Sequence, residues 1–180
     1  MQTAIGTRQA VQTSRLAVKL VRRVVETTRR AVETVCALRM IEVVNRQRRL
    51  PLDCERWRAF VAKALKVVPA RGAGATVAFV SDRAMRELNR RWRGRRGTTD
   101  VLSFPSVQDE FEKAAGLSLG DVVISVEQAG RQAAEHGLEF EGEVAQLILH
   151  GLLHLCGYDH ERDEGEMNAL ELKLRRRLGI

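Results

Sequence analysis

FEGEVAQLILHGLLHLCGYDH, residues 140–160, is the most strongly patterned segment of this 180-residue chain. Drawn as a helix at about 100° per residue, residues 140–156 are apolar over most of the circumference, which predicts a helix buried on nearly every side. One polar stripe remains, formed by Glu143, Gln146, His150 and His154. Gly157 is predicted to end the helix, because glycine adopts left-handed backbone angles at little cost.

Three histidines of this segment have the spacing of metal ligands. His150 and His154 lie four residues apart on one helix face, where two imidazoles can bind one ion, and the turn at Gly157 lets His160 reach it from the other side. Three imidazoles without a thiolate leave tetrahedral zinc one open position for water, which is typical of a catalytic site. We therefore predict one zinc ion per chain that supports hydrolysis, with three structural histidines as the alternative.

Other residues near the histidines have less specific interpretations. Asp159 either orients a histidine through a hydrogen bond or forms a turn. Cys156 projects away from the polar stripe and is predicted to be a core thiol. His136 precedes Gly137 at a predicted helix end, where a histidine interacts favourably with the helix dipole, so it is not counted among the ligands.

Peptide hydrolysis is the first candidate reaction, because the histidine spacing matches that of metzincin proteases. In those enzymes a glutamate follows the first histidine directly and acts as the general base. Gly151 stands at that position and carries no proton. The pattern disfavours peptide hydrolysis, but it leaves a metalloprotease without the usual glutamate as a rival interpretation.

RNA is the second candidate substrate, on account of RAMRELNRRWRGRR, residues 83–96. The segment holds seven arginines and one glutamate. Guanidinium groups pair with phosphates through two parallel hydrogen bonds, and the indole of Trp92 can stack on a base. Alone, the segment is typical of a solvated helix end and loop. Beside a hydrolytic metal site, it predicts a contact with single-stranded RNA.

Alternating strand and helix patterns fill the chain from Met40 onward. Short β-branched or apolar runs predict four strands, at 41–44, 76–80, 100–104 and 121–126. Helical spacing and capping residues predict five helices: 55–68 after Asp53, one carrying Met85 and Leu88 after Ser81, 127–136, 140–156 and 161–178. An arginine-rich loop follows the second helix, and 106–118 is a further predicted loop. The order predicts one α/β domain with a small sheet of about four strands.

The positive charge is concentrated in the first 39 residues. With eight basic and two acidic residues, they carry +6 of the formal net charge of +7, so the charge alone does not indicate nucleic-acid binding by residues 40–180. Their apolar spacing predicts a basic amphipathic helix. Three interpretations stay open: a basic arm, an organelle transit segment, or sequence upstream of a true start at Met40.

Cysteine usage and hydropathy indicate the compartment. Three cysteines without CxxC spacing argue against a disulfide framework. No apolar run reaches the roughly 18 to 20 residues that span a bilayer, and the N-terminus lacks the features of a secretory signal. We therefore expect a soluble protein without a membrane partner in a reducing compartment, the cytoplasm.

HGLLHLCGYDH, with LNRRWRG, TTDVLSFP and LGDVVIS upstream in that order, resembles the YbeY endoribonucleases of bacteria. The resemblance covers residues 40–180 and does not include residues 1–39. It implies an α/β (α+β) fold with a small mixed sheet covered by helices, and a zincin-like helix whose zinc site lies in a cleft beside the sheet. It also implies that His150, His154 and His160 bind zinc, and that Arg93 holds the scissile phosphate or the RNA backbone.

The function implied by this resemblance is that of a single-strand-specific metallo-endoribonuclease. Such enzymes act in the 3′-end maturation of 16S rRNA and in late quality control of the 70S ribosome, with rRNA and the ribosome or its small subunit as partners. No general base is evident; Asp159, a water or the 2′-hydroxyl of the RNA stay open. A second rival is a non-catalytic, zinc-containing factor that binds rRNA.

Overall fold

The computed structural model describes residues 41–70, 72–106, 118–160 and 162–180. In these ranges the chain forms four strands: β1 (Ile41–Asn45), β2 (Gly74–Val80), β3 (Val101–Pro105) and β4 (Ser118–Ser125). It also forms five helices: α1 (Cys54–Leu65), α2 (Asp82–Arg93), α3 (Val126–His136), α4 (Phe140–Leu155) and α5 (Glu166–Leu178). The predicted α/β class with about four strands is confirmed. The helix predicted in residues 1–39 and most of the loop predicted at 106–118 lie outside the described residues.

The four strands form one mixed sheet in the order β1-β2-β4-β3. β1, β2 and β4 run parallel, whereas β3 pairs with β4 in the antiparallel direction. β3 is therefore an edge strand of the sheet. None of the helices in the described ranges combines the length and hydropathy that crossing a membrane requires.

Helices cover both faces of this sheet. Val122 and Ile124 of β4 join the larger core, together with buried residues of α1, α4 and α5. Val123 points to the opposite face, where it packs with Met85 of α2 and Leu102 of β3 in a smaller core. The alternation of side chains along a strand explains this division. It places α4 and α2 on opposite faces of the sheet.

Two helix starts follow the capping residues expected from the sequence. The carboxylate of Asp53 accepts hydrogen bonds from the backbone N–H groups of Glu55 and Arg56 at the start of α1. The hydroxyl of Ser81 accepts one from the backbone N–H of Ala84 in α2. Side chains of this kind satisfy backbone donors that have no partner inside the helix. Both predicted caps are confirmed.

The start of α5 differs from the prediction. The acidic run from Glu161 predicts a first helical turn, but α5 begins at Glu166. Gly165 has a left-handed backbone with φ 103°, and the Asp163 carboxylate accepts hydrogen bonds from the N–H groups of Gly165 and Met167. The acids therefore form a turn that caps the helix. Glu161 itself lies outside the described residues.

Gly151 lets α4 approach the sheet closely. A Cβ atom at this position would lie 2.5 Å from Cγ1 of Val122 and 3.2 Å from Oγ of Ser103. The Ser103 hydroxyl donates a hydrogen bond of 3.1 Å to the Gly151 carbonyl. Only glycine fits this separation of helix and sheet without a shift of its neighbours. The close approach sets where the polar face of α4 lies relative to β3.

Candidate metal centre

The three predicted histidine ligands lie together in the structure. One ring nitrogen from each of His150, His154 and His160 lies within 4.8 Å of the others. Nε2 of His150 and Nε2 of His154 are 3.1 Å apart. His136 is placed elsewhere, at the end of α3, with its Nδ1 3.4 Å from Oε2 of Glu143. The geometry thus groups the histidines of residues 150–160 and leaves out the fourth.

A glycine turn brings the third histidine back toward α4. Gly157 has φ 92°, in the left-handed region, and its N–H donates to the carbonyl of His154 at 2.9 Å. The N–H of Tyr158 donates to the carbonyl of Leu153 at 3.1 Å. These bonds satisfy carbonyls at the end of the helix while the chain reverses. His160 follows at once and reaches the other two rings.

Glu171 of α5 contacts the first of these histidines. The residue is only 6% exposed, and its Oε2 lies 3.0 Å from Nδ1 of His150. Oε1 accepts hydrogen bonds from the guanidinium of Arg175. Burial opposes the charge of Glu171, but the hydrogen bonds from His150 and Arg175 outweigh it and hold the pKa of the carboxyl below its ordinary value.

The contact with Glu171 defines the tautomer of His150. An ionised carboxylate only accepts hydrogen bonds, so in the neutral ring of His150 Nδ1 carries the proton and Nε2 has the lone pair that faces His154. Two facing ring nitrogens at this distance need a shared proton or a shared cation between them. Because a third ring nitrogen converges on the same place, a cation satisfies the cluster better than one proton does.

The protonation of His154 also suits a metal ligand. Burial and the neighbouring His150 and His160 lower its pKa, and these effects exceed the opposing ones of a backbone hydrogen bond at Tyr158 and the charge of Asp159. The neutral imidazole is the form that binds metal ions. Neutral nitrogen ligands suit zinc and related transition ions better than magnesium or calcium, which prefer oxygen. The residues present therefore fit a zinc ion.

Cys156, which follows α4, is not part of the cluster. Its side chain packs against the larger core, and burial raises the pKa of the thiol to about 11. A thiol with so high a pKa is protonated at neutral pH and is a poor ligand and nucleophile. The predicted role of a core thiol agrees with this position.

The histidines line an open cleft of about 1370 Å³ between the end of α2, the edge strand β3 and the turn after α4. Arg93 and Trp92 line the same cleft. α2 continues through Arg93 and ends at Gly94, whose φ of 66° is left-handed, so five of the seven clustered arginines lie on the helix. The arginine-rich loop predicted after this helix therefore begins beyond Arg93.

The loop after α2 is held by a buried side chain. Nδ2 of Asn89 donates a hydrogen bond of 2.8 Å to the carbonyl of Gly97.

Arg90 forms an ion pair with Glu87, whereas Arg93 forms none within the described ranges. The Arg93 guanidinium is thus available to a ligand in the cleft.

Asp159 lines the cleft and belongs to the turn after α4. Its carbonyl accepts hydrogen bonds from the N–H groups of Arg162 and Asp163, and its carboxylate lies 3.3 Å from Nε of Arg162. The turn-forming role is therefore present. Its role in orienting a histidine stays a prediction.

The sequence reasoning missed Glu171, although a signal was present. Met167, Glu171, Leu174 and Leu178 are the buried positions of α5. Their spacing of four, three and four residues is that of a core-facing helix stripe, and Glu171 is the only ionisable residue in it. A charged residue at an apolar position of an amphipathic helix indicates a buried partner. Its partner His150 lies on a different helix, which the sequence pattern does not reveal.

Comparison with known proteins identifies the family. Residues 42–179 match the sequence model of the family described as Endoribonuclease YbeY. The chain belongs to the YbeY family. The expectation drawn from the sequence motifs is therefore confirmed at the level of the family.

Individual members of the YbeY family match most of the chain. The Endoribonuclease YbeY of Caldanaerobacter subterraneus is 38% identical over 158 residues, which cover 78% of this chain and 99% of the relative. That of Geobacter metallireducens is 36% identical over 136 residues, covering 75% of this chain and 91% of the relative. The solution structure of TM1509 from Thermotoga maritima superimposes with a TM-score of 0.54 at 26% identity, covering 77% of this chain and 88% of that one.

Proposed function

We propose that the protein is a zinc-dependent endoribonuclease that cleaves single-stranded rRNA. The observation that carries the proposal is that three converging histidines line one cleft with Arg93, which forms no ion pair with the residues that the structure describes. The names of the YbeY relatives support the reaction class. We further assign it to the bacterial cytoplasm, with the ribosome or its small subunit as partner, in 16S rRNA 3′-end maturation and late 70S quality control.

Each of the cleft residues has a separate role in the proposed reaction. His150, His154 and His160 would hold the zinc ion. When bound, the ion supplies a water of lowered pKa and a Lewis acid for a phosphoryl oxygen. Arg93 would pair with the phosphate and neutralise charge that develops on its oxygens during cleavage. Trp92 and the neighbouring arginines would hold the RNA strand on either side of that phosphate.

The proposal is tested by incubating metal-analysed protein with single-stranded RNA and with a duplex of the same sequence. We expect cleavage of the single strand, little cleavage of the duplex, and none after chelation or in the His150→Ala variant prepared in parallel. The His150→Ala control matters because contaminating nucleases imitate weak activity. Binding of RNA without turnover, or cleavage of an unstructured protein with RNA spared, would contradict the proposal.

Replacing Arg93 with alanine is expected to lower kcat for RNA cleavage by about 10² to 10³, the usual effect of removing one donor to a developing oxyanion. Zinc stoichiometry should remain that of the unmodified protein, because the cluster of ring nitrogens is formed by the histidines and not by Arg93. Arg83→Ala is the matched control, since Arg83 lies on the same helix but does not line the cleft. Loss of zinc from Arg93→Ala would indicate misfolding, whereas a zinc-loaded Arg93→Ala protein that cleaves RNA as fast as Arg83→Ala would contradict this assignment.

Replacing Trp92 with alanine is expected to weaken single-stranded RNA binding by roughly 5- to 150-fold, because stacking contributes about 1 to 3 kcal/mol per base. Trp92 is 62% exposed, and Phe104 packs edge to face against its ring with centroids 5.8 Å apart. Binding is measured by fluorescence anisotropy with metal-free protein, so that cleavage does not interfere. Trp92→Phe should lose less, and the exposed Leu172→Ala control should lose nothing. Equal losses in all three variants would argue against stacking.

A further inference from the structure

We propose that Glu171, held in place by Arg175, is the positioning residue that fixes His150 for metal binding. The inference rests on the metal site of the proposed function, but not on the identity of the substrate. Glu171 belongs to α5, whereas His150 belongs to α4, so the contact joins two packed helices. It gives α5 a role in the site beyond covering the core.

The burial of Glu171 argues against a purely structural role. The side chain occupies the core-facing stripe of α5 between Met167 and Leu174, which are both buried. Burying an ion pair costs desolvation energy, and well-packed apolar residues of similar volume often serve stability equally well or better. A leucine would suit packing at this position. The carboxylate is therefore explained better by what its oxygens contact.

Both oxygens of Glu171 are engaged, and each by a different partner. Oε2 lies 3.0 Å from Nδ1 of His150. Oε1 accepts from Nε of Arg175 at 3.2 Å and from its Nη2. The guanidinium holds the oxygen that His150 does not use, which prevents the carboxylate from rotating away. The ring of His150 is thereby fixed with Nε2 toward the cluster.

His150 and His154 are supported in different ways. His154 hydrogen bonds with the backbone of Tyr158, one turn further along the same chain segment. In the described part of the chain, His150 is the member of the cluster whose ring is paired with a carboxylate. Carboxylate partners that fix the tautomer and orientation of a metal-binding histidine typically change metal affinity by 10- to 100-fold. Glu171 has the contact that this effect requires.

The test compares Glu171→Leu, Glu171→Gln and Arg175→Ala with two exposed controls, Glu135→Gln and Arg176→Ala. Zinc affinity is measured by competition with a chromophoric chelator, and the stability of each metal-free protein by urea unfolding. In Glu171→Leu we expect zinc affinity to fall 10- to 100-fold while the metal-free protein stays folded, because the side chain of Arg175 is 30% exposed and can turn to solvent once its partner is removed. Arg175→Ala should weaken binding less, and both controls should bind zinc normally.

A spectroscopic readout separates positioning from packing. In metal-free protein at one fixed pH, the ¹⁵N shifts of His150 should report a proton on Nδ1 in the unmodified chain and a mixture of tautomers in Glu171→Leu. Unchanged zinc affinity and an unchanged tautomer in Glu171→Leu would overturn the inference, as would parallel losses of zinc and stability. If Glu171 governs zinc affinity but the unmodified protein does not cleave RNA, the positioning role stands and the proposed function fails. If the unmodified protein cleaves RNA but its zinc affinity does not depend on Glu171, the proposed function stands and the positioning role fails.

Discussion

Replacing His154 with alanine is expected to remove both stoichiometric zinc and RNA cleavage. Zinc sites with four protein ligands bind with about 10 to 16 kcal/mol, so one ligand contributes roughly 2.5 to 4 kcal/mol, or about 60- to 700-fold in affinity. A site with two remaining imidazoles should then lose its zinc during purification. Metal analysis and an RNA cleavage assay on the same preparation measure the two effects together.

The matched control for this variant is His136→Ala. His136 is the histidine outside the cluster, at the exposed end of α3. Its loss should leave zinc content and cleavage unchanged, and both variants should fold, because neither side chain is part of the hydrophobic core. If His154→Ala retains one zinc ion per chain and cleaves RNA normally, the assignment of the site is wrong.

Replacing Gly151 with glutamate restores the residue that zinc proteases use as general base, yet we expect it to unfold the protein instead of creating a protease. The Cβ alone would lie 2.5 Å from Cγ1 of Val122, which is fully buried. Overpacking costs about 1 to 3 kcal/mol, and an unpaired carboxylate in the core costs several more. The sum is about 5 kcal/mol or more, comparable with the total stability of a domain of this size.

Gly142→Ala provides the control for this prediction, because it lies on the same helix and a Cβ there meets no atom within 4 Å. It should stabilise the protein by roughly 0.5 to 1 kcal/mol, since alanine favours the helix over glycine. Urea unfolding of the metal-free proteins measures both changes. A Gly151→Glu protein as stable as the original, and active on an unstructured protein, would restore the protease interpretation.

The fold was largely predictable because local signals determine most of its elements. The apolar circumference of α4 and the side-chain caps Asp53 and Ser81 are properties of short segments, and each led to the correct element. The start of α5 was missed because an acidic run is typical of both a first helical turn and a capping turn. The left-handed Gly165 distinguishes the two, but its backbone angle is not visible in the sequence.

The candidate site was predictable where its residues are neighbours in the chain. His150, His154 and His160 follow from helical spacing and one glycine turn. Arg93 was predicted only from the family resemblance. Its position in the cleft depends on how α2 and β3 pack, which the sequence pattern does not reveal. Glu171 was missed for the same reason: its contact with His150 joins two helices. From the sequence, Gly151 indicated only that the general base of the proteases is absent. The structure shows in addition that a side chain at this position would collide with the sheet.

The difference between local and distant residues affects how purified samples should be judged. The three histidines come from one helix and the turn after it, so bringing them together closes a short loop at little entropic cost. Arg93 comes from α2, a distant segment, and its neighbour Trp92 packs against Phe104 of the edge strand β3, which pairs with β4. Fraying of that edge would remove the support of Trp92 beside Arg93 while the three histidines stay together. If the proposed function holds, zinc content would overstate the active fraction of a preparation in which this edge has frayed, and titration with RNA would count the working molecules.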